Sequence, residues 1–223
     1  MDGHKVLTSK DMARLASRQC AGCGACCRGM GDTILLDPYD VCQLTNGLQR
    51  SFDELLGDGV DLHVEKGIIL PHMKMDEARD ACHFLDAGGR CKVHAFRPGI
   101  CRLFPLGRHY NNTDESTGAS ADADKLPNVT YFLLEDACTD PSRTKVRVDK
   151  WLGIPDLPSY EAFKFRWHRM LRTLAARIAA EDDQETVQKV NVFFLQTFYM
   201  KPYERKTFYE EMERRMERFQ VVL

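Results

Sequence analysis

The amino-acid sequence predicts an α+β fold: a small cysteine-rich core of short β-strands and helices over residues 1–150, then a helical C-terminal extension over 151–223. Three observations predict it. Seven of the nine cysteines fall in two blocks, Cys20–Cys27 and Cys82–Cys101, each broken by glycines or turn residues. Short apolar runs bounded by Gly, Pro and Asp read as strands. From about Tyr160 the apolar residues switch to three- and four-residue steps, the period of an amphipathic helix.

In chain order, residues 1–19 predict a short amphipathic helix, with Met12, Leu15 and Ala16 at helical spacing and Ser9 as its cap. The cysteine run follows, then a Gly-rich turn at 28–31 and a buried strand over 33–36. Asp37 can cap a helix with Pro38 in its first position, and Asn46-Gly47 ends it. Cys42, on that helix, reads as a small core residue. Ser51-Phe-Asp-Glu54 is a capping-box pattern opening a short helix through Leu56, and 57–66 reads as a loop. Residues 67–70 make a second strand, interrupted by Pro71.

Asp86-Ala-Gly-Gly89 is a turn signal that sets Cys82 and Cys91 facing each other across a hairpin, and Pro98-Gly99 returns Cys101 to the same neighbourhood. The polar, acidic stretch 111–128 predicts a mobile surface loop. A strand over 129–134 precedes Cys138. Beyond Pro155 and Pro158, Ser159 caps a long helix to about Ala180, with Phe163, Trp167, Leu171, Leu174 and Ile178 inward. A second helix covers 185–198, and Pro202 opens a charged third.

The chemistry lies in C-A-G-C-G-A-C-C, four thiols within eight residues. Neighbours this close rarely meet disulfide geometry, but a two-residue gap lets successive sulfurs point at one centre, with Gly22 and Gly24 permitting positive-φ turns. Such a run also supplies three of the four thiolates of an iron–sulfur cluster, the fourth coming from far along the chain. Neither block alone completes a well-spaced site. Cys20, Cys23, Cys26, Cys27, Cys82, Cys91 and Cys101 are therefore expected to converge. Arg28, Arg97 and Arg102 flank the thiols, where a guanidinium offsets thiolate charge or holds turn carbonyls. His83 and His94 are further candidates, as ligands, proton carriers or packed side chains.

With 31 basic against 33 acidic residues, net charge predicts no nucleic-acid or membrane partner. The N-terminal stretch has no signal-like apolar run and no segment reaches transmembrane length, which predicts a cytoplasmic protein. Many cysteines in that setting point to metal or redox chemistry rather than a disulfide framework.

Together the blocks C20-x2-C23-x2-C26-C27 and C82…C91-x5-R97-P98-x2-C101-R102-x2-P105 resemble the CxxCxxCC family of zinc- or iron-chelating domains, a group that includes the flagellin lysine methylases. The resemblance covers roughly residues 18–140. It implies eight metal-binding cysteines: Cys20, Cys23, Cys26, Cys27, Cys82, Cys91, Cys101 and Cys138. Where members of the family often carry Tyr, this chain has His94. The resemblance favours a four-iron, four-sulfur (4Fe-4S) cluster, with zinc as the alternative, and spacing leaves open one site or two. It also permits a protein lysine methyltransferase-like activity on a protein substrate. No Gly-rich nucleotide fingerprint, Ser/His/Asp arrangement or paired carboxylates accompany it. An electron carrier or a zinc-stapled interaction domain are the other classes.

Overall fold

The computed structural model describes residues 5–16, 24–110, 129–134, 137–138 and 143–222. Its chain runs β1 (Met12–Ala16), α1 (Pro38–Leu48), α2 (Phe52–Leu55), β2 (Val60–Glu65), β3 (Ile68–Met73), β4 (Met75–Asp76) and β5 (Ala81–Cys82). It continues through α3 (Gly99–Leu103), β6 (Leu106–Tyr110), β7 (Val129–Leu133), β8 (Arg143–Arg147) and α4 (Val148–Leu152). Three longer helices close it: α5 (Leu157–Ala179), α6 (Gln184–Leu195) and α7 (Phe208–Val222). The fold is α+β, with antiparallel strand pairs β1–β8, β2–β3, β4–β5 and β6–β7 among the described residues and a helical C-terminal region. No helix among the described residues is long and apolar enough to cross a membrane.

The chain divides into two compact units, Met1–Ala25 with Gly99–Arg169 and Cys26–Pro98 with Met170–Leu223, a different partition from the linear division at residue 150.

In the first unit, residues 12–16 form a strand and not the helix their spacing suggests. They pair with β8 from Met12↔Arg147 to Ala16↔Arg143, with Ala13 and Leu15 buried and Met12 exposed. The expected Ser9 cap gives way to a turn in which the Asp11 carboxylate accepts from the Thr8 amide (2.7 Å) and hydroxyl (2.8 Å). A ladder to a partner far along the chain outweighs local helical spacing. The expected strand before Cys138 is β7, which pairs with β6. Helix α5 starts at Leu157, ahead of Ser159, whose amide donates to the Asp156 carboxylate (3.2 Å). Phe163 and Trp167 are buried as expected, with rings 6.4 Å apart; farther along α5, in the second unit, Met170 is buried in the place expected of Leu171.

In the second unit, Asp37 and Asp40 form a reciprocal capping box at the start of α1, with Pro38 in the first turn. The helix runs through Asn46 and Gly47 to Leu48. Gly47 is there for space: a Cβ at that position would lie 2.3 Å from the Phe96 ring, so the turn that follows Cys91 packs against α1. The Ser51–Glu54 capping box opens α2 as expected. Residues 60–65 are a strand and not a loop, in a hairpin that carries β3 through Pro71. Residues 33–36 run extended beside β3 but form only the bridge Leu35↔His72 among the described residues.

The C-terminal helices of this unit supply an aromatic core. Phe194 lies 5.2 Å from Phe198, Phe198 5.1 Å from Phe219, and Phe208 5.0 Å from Tyr203. Burying each such ring contributes roughly 1.5–3 kcal/mol. Helix α6, capped by Asp183, continues as a wider turn through Met200, and α7 begins at Phe208 and not at Pro202. Buried Arg215 donates to the carbonyls of Thr197 (2.9 Å), Lys201 (2.8 Å) and Pro202 (2.9 Å), at and just past the end of that wider turn.

Candidate metal centre

Cys26 and Cys27 sit in a single 3-10 turn, Ala25–Cys27, entered through Gly24 at φ +60°. That is one of the two positive-φ glycines the spacing called for; Gly22, with Cys20 and Cys23, lies outside the described residues. Directly after the turn, Arg28 bridges to Ala81, and the Gly29 amide donates to the Asp80 carbonyl (3.1 Å). This pairing ties the first cysteine block to β5, where Ala81 is followed by Cys82.

Cys82 is buried and pairs with Met75 across the β4–β5 ladder. The expected turn at 86–89 is present: the Asp86 amide donates to Arg90, and Leu85 bridges to Cys91. Cys91 therefore faces Leu85, and not Cys82, across that hairpin, because the register is set by the Asp86 carboxylate accepting from the amides of Gly88 (2.9 Å) and Arg90 (2.8 Å). Each thiol accepts a backbone N–H from two residues on, Phe84 for Cys82 and Val93 for Cys91. Amides aimed at sulfur favour its charged form.

Cys26, Cys27, Cys82 and Cys91 share one electrostatic neighbourhood. The Cys26 and Cys27 sulfurs are 4.0 Å apart. The hydrogen bond from Cys27 pulls the Cys26 thiol down to about 7, helped by its own backbone and the Arg97 guanidinium. Donating that bond, and burial, push Cys27 far up. Burial pushes Cys82 and Cys91 up as well, with further repulsion from neighbouring thiols, and Arg97 works against the rise at Cys91. Arg97 also donates to the His94 carbonyl (2.8 Å), so one guanidinium serves both roles considered for it. Arg28 donates to the Arg79 carbonyl (3.3 Å), a turn-holding contact. His83 is turned to Asp58, 3.4 Å from its carboxylate, and His94 Nδ1 faces Arg97 at 3.2 Å.

Cys101, Arg102 and Cys138 belong to the first unit, Cys101 and Arg102 on α3 and Cys138 beyond β7, with both cysteines half-buried. All seven described cysteines are free thiols. Cys42 is buried on α1, as its sequence context predicts.

The donor set fits a thiophilic metal. Two thiolates bound to one tetrahedral ion at about 2.3 Å lie roughly 3.8 Å apart, close to the 4.0 Å of the Cys26–Cys27 pair. Among the described residues no three His, Cys, Asp or Glu side chains stand at ligand spacing. The features sequence reasoning missed are backbone ones: the Arg28–Ala81 bridge and the amides of Phe84 and Val93, which no residue type announces.

Residues 19–120 match the model of the CxxCxxCC family, "Putative zinc- or iron-chelating domain". No curated protein and no solved structure matches the chain.

Proposed function

We infer, from the membership of residues 19–120 in the CxxCxxCC family of zinc- or iron-chelating domains, that the protein holds its metal through thiolates drawn from both cysteine blocks. The observation that carries this reading is the 4.0 Å Cys26–Cys27 sulfur pair, with Cys82 and Cys91 near enough to raise the Cys27 thiol electrostatically. In this reading Cys26 is the first ligand to ionise, Arg97 offsets the accumulating negative charge, and the Phe84 and Val93 amides orient the Cys82 and Cys91 sulfurs. A metal bound there supplies a redox-silent clamp if it is zinc, and electron transfer or Lewis acidity if it is an iron–sulfur cluster.

The 4.0 Å pair supports a single ion, zinc or iron, shared by Cys26 and Cys27, and in this reading Cys82 and Cys91 complete its thiolates. The C-x2-C-x2-C spacing supports a second reading, a 4Fe-4S cluster on Cys20, Cys23 and Cys26 with a remote thiol. Redox or methyl-transfer chemistry on a protein substrate belongs to that second reading.

Elemental analysis, acid-labile sulfide and an absorption spectrum on protein purified without oxygen separate the two. Stoichiometric zinc in a colourless sample, or iron without sulfide, supports the single ion; iron with sulfide and a broad band at roughly 400 nm supports the cluster. Protein purified with no thiol-bound metal, and unable to take any up, would overturn both.

A further inference from the structure

We propose that the β2–β3 hairpin carries a second metal site, built from nitrogen and oxygen ligands, in which His63, His72 and Glu65 bind a divalent transition-metal ion and the Asp32 backbone carbonyl orients the His72 imidazole. The site is separate from the thiol centre, and all four residues lie in the second unit.

Alternation along β2 puts His63 and Glu65 on one face of the hairpin, and the register sets His72 opposite Asp61, diagonal to His63. The rings of His63 and His72 lie 4.7 Å apart, tilted by 38°. Both turn Nδ1 toward Asp32. His72 Nδ1 is hydrogen-bonded to the Asp32 backbone carbonyl, and His63 Nδ1 lies 3.9 Å from the Asp32 carboxylate. A carbonyl oxygen can only accept, so His72 carries its proton on Nδ1, leaving Nε2 as the ligating atom. An imidazole whose other nitrogen donates to a carbonyl or carboxylate is the usual arrangement behind a metal-binding histidine.

The His72 side chain is only 3% exposed, and its Nε2 is buried without a hydrogen-bond partner, 3.8 Å from Glu65 Oε1. With Nε2 unprotonated it and the carboxylate oxygen are both acceptors, a pair that a cation between them would satisfy. Imidazole with carboxylate suits zinc, nickel or copper better than calcium or magnesium. Ligand bonds of about 2.0–2.2 Å put adjacent donor atoms roughly 3.3–3.5 Å apart, so the pair needs to close by only about half an ångström. Glu65 and His63, with side chains 46% and 39% exposed, have room to rotate inward. Lys74, 3.7 Å from Asp61, engages the remaining acid on this face. The rival occupant is a proton, which would make His72 an imidazolium paired with Glu65.

The test is Zn2+ titration of the full-length protein with its thiol site already saturated, followed by calorimetry and by the imidazole 15N signals of His63 and His72. One further equivalent binds, with both Nε2 signals shifted; His63→Ala and Glu65→Gln each weaken it at least about ten-fold. His63 and Glu65 are half-exposed, so these variants keep the fold, which far-UV circular dichroism checks. Three results would overturn the site: no further equivalent, a further equivalent of unchanged affinity in His63→Ala and Glu65→Gln, or imidazole signals that move with acid but not with zinc.

Discussion

Cys42 and the cluster of Cys26, Cys27, Cys82 and Cys91 put the same side chain in two environments within one compact unit. Cys42 is 1% exposed on α1, its sulfur facing the Tyr203 carbonyl (3.8 Å) and the Asn46 side-chain amide (3.7 Å). Burial pushes its thiol up to about 11, against the pull of Arg205 and Arg215. Cys26 is half-buried, but a second thiol at 4.0 Å and the Arg97 guanidinium bring it down to about 7. Burial beside a single neutral amide, with two cations that do not offset it, makes cysteine a small hydrophobe; burial with thiols, backbone amides and a guanidinium makes it a ligand.

The sharpest way to break that contrast is to delete one cysteine from each side. Cys82→Ala is expected to lose bound metal and much of the fold, because metal-binding free energy in thiolate sites is folding free energy, of order 10 kcal/mol for structural zinc. Metal content and thermal unfolding measure it. Cys42→Ala is expected to keep the metal at full stoichiometry and to lose about 1–2 kcal/mol in urea unfolding from the small cavity. If Cys42→Ala also lost its metal, the contrast would collapse.

The pH dependence sharpens it further. In metal-stripped protein, site-resolved alkylation should find Cys26 half-ionised near pH 7, with Cys42, Cys82 and Cys91 reacting only at alkaline pH. For Cys26, whose value is depressed, the thiolate's contribution to the metal-stripped fold is complete above the ordinary 9.0 and gone once pH has fallen through about 7. For Cys82 and Cys91, whose values are raised, the contribution is present below 9.0 and lost as pH rises. Arg97→Ala should move the Cys26 midpoint upward, and an unmoved midpoint would remove Arg97 from the account. The smallest effect is expected at Asp37→Ala, which removes the α1 cap at a cost of about 1 kcal/mol and leaves metal content unchanged.

The helix signals of the sequence were legible where they were local. Asp37-Pro38, the Ser51–Glu54 box and the inward face of α5 are set by residues a turn apart, and each appears in the structure. Met12–Ala16 was not legible, because its partner Arg143–Arg147 lies at the other end of the first unit's sequence and nothing local records the pairing. Val60–Glu65 hid behind Gly57, Asp58 and Gly59: its alternation puts Leu62 and Val64 outward, so it lacks the apolar run that marks a buried strand. That error also concealed His63 beside His72. In the cysteine cluster the residue types were legible, while the partner of Cys91 was not, because the Asp86 turn shifts the register.

X-ray absorption at the edge of whatever metal the protein carries when purified without oxygen reads the ligand shell itself. A shell of sulfur neighbours at about 2.3 Å, lost in Cys82→Ala and kept in Cys42→Ala, is the result this account predicts. A main metal pool bound only by nitrogen and oxygen, or a sulfur shell untouched by Cys82→Ala, would contradict it.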